Sequence, residues 1–354
     1  AALASEIALA AGERTPRYLL KTTRKWAERA LLSPTRDIGL GAVHLPEPDV
    51  IGLSSYGEMA RHLKARCEVR LTSRYSGEKL SVATERLHQE LETVNALGYE
   101  AYFLAVADIV DGARRSGIRV AARGSGAGSL ICHLLGISGV DPLDHGLLME
   151  RFCSTLRTDL PDIDIDVESA RRLEIYDQVF ARYNPEESWP HGAARSTTVA
   201  MVETYRARHA IRDVGAALAL PHEEIDALAK SLPHIRAKNI TNALRELPEL
   251  RHISINAPMG KAITLAEQLD KLPRHLSMHP CAVILADKAL LDRMPSQMGA
   301  SGYPMSQWDK DDVESVGLLK LDILGVRMQS AMAHALYEIE RVDKKSIPLD
   351  EIPH

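Results

Sequence analysis

Apolar residues recur at helical spacing along some stretches of the chain and alternate at strand spacing along others. Val82, Leu87, Leu91, Val94 and Leu97 fall on one side of a helix over 82–97, and Gly98 is placed to end it. Residues 102–115 predict a second helix, stopped at Gly117. Ile118 to Ala122 is a short apolar run that reads as a strand, and an apolar helix follows around 129–136. Strand spacing returns over 158–168 and helical spacing over 169–183. Residues 184–196 carry two prolines and a glycine and read as a linker. Residues 197–270 read as mostly helical, 282–286 as a strand, 292–306 as a loop and 316–324 as a last strand. A helix over 327–341 would place Met328, Met332, Ala335 and Leu336 in a core. Upstream, 1–32 is mostly helical with breaks near Gly12 and Pro16, and 33–57 is rich in proline and glycine. No internal repeat is present. The pattern is that of an α+β domain interrupted by a helical insertion at about 197–275.

The alternation is most informative at Leu160-Pro-Asp-Ile-Asp-Ile-Asp-Val167. Side chains of a strand point to opposite faces in turn, so Asp162, Asp164 and Asp166 share one face and Ile163, Ile165 and Val167 the other. Neighbouring carboxylates repel, so such a face needs cations, protonation or open water. Hard cations such as Mg²⁺ take carboxylate ligands. A calcium loop of the D-x-D-x-D-G type is excluded, because Val167 stands at the turn glycine and Leu173 at the closing glutamate. A solvated acidic edge strand is the alternative to metal binding. Leu319-Lys-Leu-Asp-Ile323 alternates in the same way, with Lys320 and Asp322 on one face. Asp322 is either a lone strand-end acid facing water or the third member of a set with Asp162 and Asp164. Such a set can hold two divalent ions roughly 3.5–4 Å apart.

Between the 118–122 strand and the following helix lies Arg123-Gly-Ser-Gly-Ala-Gly-Ser129. Glycines let backbone approach a phosphate, and a helix N-terminus offers N–H groups. The alternative is an ordinary flexible turn. The run is neither a Walker A loop nor a clean dinucleotide fingerprint. From Gly112 to Val140 there are four arginines and no acid. Arg206, Arg208 and Arg212, which open the insertion, are either contacts to a nucleic-acid backbone or a solvated basic face. Lys310, in Gln307-Trp-Asp-Lys310, either reaches a phosphate or neutralises its acidic neighbours. His275 and His279 are spaced i, i+4, but Pro280 follows and no third ligand is near, so they read as structural.

Composition narrows the field. The chain has 354 residues, enough for two or three structural units, with 43 basic and 48 acidic residues and a net charge of −5. That excludes a protein that holds nucleic acid through bulk charge, though not a basic groove on an acidic body. Aromatics at 5% argue against a surface of many base-stacking rings. The four cysteines form no CxxC pair, which argues against a disulfide scaffold or cysteine zinc site. No stretch of 18 apolar residues and no signal-peptide order is present. The chain begins at Ala1 and ends in a proline-flanked turn, so a segment of a longer chain is expected.

Several motifs stand in one order: Leu97-Gly-Tyr-Glu-Ala-Tyr-Phe-Leu104, Ala122-Arg-Gly-Ser-Gly-Ala-Gly-Ser-Leu130, Gly146-Leu-Leu-Met-Glu-Arg-Phe152, Pro161-Asp-Ile-Asp-Ile-Asp166, Ile211-Arg-Asp-Val-Gly215, and Gln307-Trp-Asp-Lys310 with Leu319-Lys-Leu-Asp322. Together they resemble the catalytic alpha subunit of bacterial DNA polymerase III, the C-family polymerases, over roughly residues 85–335. The resemblance implies a polymerase-beta-like nucleotidyltransferase palm interrupted by a helical thumb. It implies DNA-directed DNA synthesis, with transfer of dNMP from dNTP to a primer 3′-hydroxyl and release of pyrophosphate. Asp162, Asp164 and Asp322 would be the catalytic carboxylates that bind two Mg²⁺ ions, and Asp166 would not. Arg123, Gly124, Ser125, Arg151 and Lys320 would hold the nucleotide. Arg206, Arg208, Arg212 and Lys310 would contact primer–template DNA.

By the same resemblance, residues 1–50 would be the tail of a PHP-type domain and a linker. The palm would span 51–194 and 276–325, the thumb 195–275, and the fingers would begin at 326. A sliding clamp and other holoenzyme subunits would bind through regions beyond this sequence, in a bacterial, nucleoid-associated cytoplasmic setting with no membrane. Ala122 stands where many relatives have Gly, and Phe152-Cys-Ser154 replaces Phe-Leu-Asn, which points to a divergent or second alpha-type subunit with a repair role. Rival readings are another nucleotidyltransferase on the same palm and a non-catalytic DNA-binding or scaffold paralogue.

Overall fold

The computed structural model describes residues 2–12, 16–154, 160–184, 194–251 and 253–347. Its centre is a mixed sheet of seven strands: β1 (Val120–Arg123), β2 (Asp164–Glu168), β3 (Ser196–Thr204), β4 (Pro273–Leu285), β5 (Ser296–Met298), β6 (Pro304–Ser306) and β7 (Leu319–Val326). Their order across the sheet is β1-β2-β7-β4-β3-β6-β5. β2 and β7 run parallel, flanked by antiparallel β1 and β4. The fold is α+β, as the periodicity predicts.

The alternation read from the sequence decides which face of the sheet is covered. Ile163, Ile165 and Val167 around β2 and Leu319, Leu321 and Ile323 of β7 are fully buried. They share one core with the Glu100–Arg115 and Arg172–Tyr183 helices. The Glu100–Arg115 helix is apolar on most of its surface because it is sandwiched: Tyr102, Phe103, Val106 and Val110 are all buried. The Tyr56–Arg74 helix covers its outer side, and the Gly77–Leu97 helix packs in turn against Tyr56–Arg74. Ser55 caps the first of these by accepting from the Glu58 N–H.

Several elements differ from expectation. Residues 197–204, read as helix, belong to β3, and β4 starts at Pro273. The helical insertion is therefore Tyr205–Leu272, shorter than 197–275. Thr197, Thr198 and Val199 are β-branched and fully buried, which suits a central strand. The strand expected over 158–168 is only Asp164–Glu168, so Asp162 precedes the ladder; 158 and 159 lie outside the described residues, as does most of the 184–196 linker. The loop expected over 292–306 contains β5 and β6. The Arg327–Asp343 helix forms, but none of its residues is buried. Met328 is exposed, as is Ala335, and Met332 and Leu336 are only half-buried, so these are not core positions.

The insertion has its own core, built from Ile211, Ile225, Leu228, Ile240, Leu250 and Ile263. Gly215 lets the Ala207–Ala217 and His222–Ser231 helices close up, since a Cβ there would stand 2.8 Å from Ile225 Cγ1. Arg274 at the start of β4 fastens the unit to its stalk with two bonds to the Asp213 carboxylate, of 2.7 and 3.2 Å. Among the described residues, no helix is long and apolar enough to cross a membrane.

Candidate active site

The parallel pairing of β2 and β7 sets Asp164 directly beside Asp322. The row extends outward to Arg123 of β1 on one side and Ala282 of β4 on the other. Cross-strand partners project from the same face, so the ladder itself brings two carboxylates together. Asp162 reaches the same spot from the segment that enters β2. One oxygen from each of Asp162, Asp164 and Asp322 lies within 4.8 Å of the others. The three acids read from two separate runs of sequence thus meet, although only two of them stand in strands.

Two cations border this cluster. Lys320, on the same face of β7, donates from Nζ to Asp322 Oδ2 at 2.8 Å and lies 3.7 Å from Asp162 Oδ1. Arg123 Nε sits 3.8 Å from Asp164 Oδ2 and 3.4 Å from Asp166 Oδ1. Burial first, then the charges of Asp162 and Asp322, raise the Asp164 pKa against the pull of Arg123 and Lys320. Burial also raises Asp166, opposed by Arg123. Burial works against the Lys320 ammonium, but its bond to Asp322 and the surrounding carboxylates outweigh it, so its pKa is raised. Asp322 Oδ1 is buried without a hydrogen-bond partner. An orphaned buried carboxylate oxygen is costly unless a cation meets it. Three oxygen donors, one of them orphaned, fit a hard divalent cation such as Mg²⁺. A hollow of about 430 Å³ opens beside the cluster, between Asp162 and Lys320 on one side and Gly41 to Val43 on the other.

The glycine-rich turn is an ordered 3-10 turn, Gly124–Gly128, directly after β1. Gly124 takes φ +77°, a left-handed conformation that favours glycine, within reach of Asp164. Gly128 is small for another reason: a Cβ there would stand 2.7 Å from the Leu148 carbonyl oxygen. That contact brings in the Met149–Arg151 turn, so Arg151 belongs to the segment packed on the glycine turn.

One feature departs from the sequence reading. The N–H groups at the start of the Leu130–Leu134 helix are not left for a phosphate. Glu90, buried on the Gly77–Leu97 helix, accepts from the N–H groups of Leu130 and Ile131 at 3.0 and 3.1 Å and from the Ser129 hydroxyl at 3.0 Å. Arg86 pairs with Glu90 at 2.8 Å and donates to the carbonyls of Leu147 and Gly128. This buried pair locks the turn to its neighbours. Neither residue carries a motif in the sequence; only their i, i+4 spacing hints at it.

The residues read as DNA contacts are spread along the insertion and the Lys310–Ser315 helix. Arg206 and Arg208 line a hollow of about 360 Å³ with His209 and His234, at the junction of β3 and the insertion. Arg208 Nε donates to the Leu232 carbonyl at 2.8 Å, and Arg212 pairs with Asp226 at 2.8 Å, so both also brace the helices. Lys310 is exposed, at the start of a helix capped by Asp309. His279, set aside as structural in the sequence, lies in an irregularity of β4 just before Ala282, the partner of Asp322. Its Nδ1 accepts from the N–H groups of Cys281 and Ala282. The proton of the neutral ring is therefore on Nε2. Burial lowers its pKa, with Asp322 pulling the other way and Lys320 and Lys310 adding to the fall.

Comparison with known proteins follows the same outline. Residues 61–325 match the family described as the bacterial DNA polymerase III alpha NTPase domain. The error-prone DNA polymerase of Symbiobacterium thermophilum is 39% identical over 267 residues, 74% of this chain and 24% of that protein. The error-prone DNA polymerase of Pseudomonas fluorescens strain Pf0-1 is 36% identical over 342 residues, 96% of this chain and 32% of that protein. That of Anaeromyxobacter sp. strain K is 37% identical over 288 residues, covering 79% and 24%. The chain therefore spans about a quarter to a third of the length of these relatives.

Proposed function

Because the chain belongs to the bacterial DNA polymerase III alpha family, we propose that its carboxylate cluster catalyses template-directed DNA synthesis. The observation that carries this reading is the meeting of Asp162, Asp164 and Asp322 beside an ordered glycine turn. In this reading the sheet is a polymerase-beta-like palm and Tyr205–Leu272 is the thumb. Residues 1–50 are the tail of a PHP-type domain and a linker, and the fingers begin at 326.

The three carboxylates would hold two Mg²⁺ ions. Bound there, the ions supply an acidified 3′-hydroxyl and charge stabilisation for the leaving pyrophosphate. Asp164 and Asp322 are held ready by the β2–β7 ladder, so little rearrangement precedes the reaction. Arg123 and the Gly124-Ser125 turn orient the triphosphate, with Arg151 on the adjoining segment. Lys320 keeps the cluster partly neutral before substrate arrives, then turns to the nucleotide phosphates. Asp166 holds Arg123 and is no ligand. Arg206 and Arg208 offer charge to a DNA backbone at the base of the insertion, with Arg212 and Lys310 further along. The relatives' name further supports error-prone synthesis, in bacterial DNA replication or repair, as the setting.

Primer extension by the complete natural gene product that carries this chain tests the reading. Asp164→Asn should remove nearly all incorporation while DNA binding persists. Undiminished extension by that variant would refute the assignment. Absence of extension from the unsubstituted protein, with DNA still bound, would favour a non-catalytic paralogue. Transfer to a small molecule or RNA instead would favour another nucleotidyltransferase.

A further inference from the structure

Asp164 and Asp322 owe their places to the sheet, but Asp162 does not. It precedes β2, its side chain is 56% exposed, and its ion pair with Lys320 is a long one of 3.7 Å. The peptide groups on each side of it are nevertheless fixed. Tyr102, on the Glu100–Arg115 helix, donates its hydroxyl to the Pro161 carbonyl at 2.6 Å and accepts from the Ile163 N–H at 2.9 Å. Pro161 and Ile163 are both buried, so these two backbone groups have no water to turn to. The Tyr102 ring is fully buried and meets Phe103 edge to face at 5.6 Å, so the hydroxyl has little freedom to move. One side chain thus straddles Asp162 from a helix in a separate part of the sequence.

We infer that Tyr102 is a positioning residue for the metal cluster, tuning its affinity and its choice of cation by fixing the backbone on both sides of Asp162. The inference rests on the proposed role of the three carboxylates. Without the hydroxyl, the Pro161 and Ile163 peptide groups reorient to find partners, and the Asp162 carboxylate moves with them. Mg²⁺ demands near-octahedral geometry with short bonds, whereas Ca²⁺ accepts longer and irregular ones. A displaced Asp162 therefore harms Mg²⁺ binding far more than Ca²⁺ binding. Loss of a group that orients a ligand lowers metal affinity about 10- to 100-fold. A tyrosine that merely fills the core would change stability and leave the ratio of the two affinities alone.

Calorimetric titration of this chain with Mg²⁺ alone and with Ca²⁺ alone tests the inference. Tyr102→Phe should weaken Mg²⁺ binding about tenfold or more and Ca²⁺ binding much less. Asp162→Asn should also weaken Mg²⁺ binding, and the double variant should be little worse than either single one, because Tyr102 acts through Asp162. Should the phenylalanine variant fail to fold, 3,5-difluorotyrosine at position 102 keeps the ring and alters the hydroxyl's donor and acceptor strengths. It should shift the Mg²⁺ to Ca²⁺ ratio in a folded protein. Wild-type Mg²⁺ affinity in the Tyr102 variants, an equal loss for both ions, or fully additive losses in the double variant would overturn the inference while leaving the cluster's role intact. Failure of the unsubstituted chain to bind Mg²⁺ would overturn the metal reading of the cluster and this inference with it.

Discussion

Replacing Asp164 with asparagine should make the metal-free chain more stable while removing its response to divalent cations. Asp164 has an acidic neighbour on either side, each with an oxygen within 4.8 Å. Two unit charges at that distance repel by about 3.5 kcal/mol at an effective dielectric of about 20, so Asp322 costs Asp164 about that much and Asp162, whose side chain is 56% exposed, roughly half of it. Arg123 at 3.8 Å returns about 4 kcal/mol, discounted because half of its side chain is exposed, and Lys320 returns a smaller amount. Roughly 2 kcal/mol of repulsion is left for the substitution to relieve, equivalent in a chain of this size to a rise in melting temperature of roughly 3 °C in EDTA. In the unsubstituted chain, Mg²⁺ at ten times its dissociation constant should stabilise by about 1.4 kcal/mol, and in Asp164→Asn by nearly nothing. The pH dependence has a definite sign. Burial and the neighbouring acids raise the Asp164 pKa in the fold, so the protonated form is favoured there. Its contribution to metal-free stability is complete below the ordinary value of 3.8 and is lost as pH rises through the raised one. The advantage of the asparagine variant should therefore be greatest at neutral pH and vanish in acid. Thermal melts across pH, with EDTA and with Mg²⁺, provide the assay. A variant that melts lower in EDTA at neutral pH, or still gains stability from Mg²⁺, would refute the reasoning.

Other consequences follow from the same geometry. Lys320→Met should tighten Mg²⁺ binding, because the ammonium no longer competes for Asp322, while the metal-free chain loses roughly 2 kcal/mol; weaker Mg²⁺ binding by calorimetry would contradict this. Glu90→Ala leaves Arg86 and two helix N–H groups without their acceptor and should cost about 3–5 kcal/mol in urea denaturation, with Glu90→Gln less damaging. Gly128→Ala should cost about 1–3 kcal/mol because its methyl meets the Leu148 carbonyl. Gly124→Ala, whose methyl would meet Asp164 Oδ2 at an ordinary contact distance of 3.9 Å, should cost about 1 kcal/mol through the strain of φ +77°. Denaturation midpoints that rank these two glycines the other way would show the turn to be packed differently.

Much of the cluster was legible because a strand's period of two is simple. Ile163, Ile165, Val167, Leu321 and Ile323 had to be buried if their acidic neighbours were exposed, and they are. What the pattern could not show was register. That Asp164 lies beside Asp322 depends on a parallel pairing across a separation that includes the whole insertion. The resemblance to a known family suggested the grouping, and the ladder accounts for it. Asp162 obeyed the alternation without belonging to the strand, since its anchor is a tyrosine hydroxyl some 60 residues upstream. β3 reads as helix in the sequence because the basic run just after it, from Tyr205 to Arg212, has helical spacing. The Arg327–Asp343 helix reads as a core element because its apolar side is real, but the described chain covers that side only in part, along β2. Glu90 and Arg86 were invisible because a buried ion pair on a helix reads like an ordinary surface pair until its neighbours are known.

The central claim is that Asp162, Asp164 and Asp322 together bind the divalent ions of nucleotidyl transfer. Crystals soaked in Mn²⁺ and measured at its absorption edge locate such ions directly. The account predicts anomalous peaks about 2 Å from oxygens of all three carboxylates, including Asp322 Oδ1, with Lys320 moved off its partner. Crystals in which Lys320 still bonds Asp322 and no peak lies among the three carboxylates would contradict it.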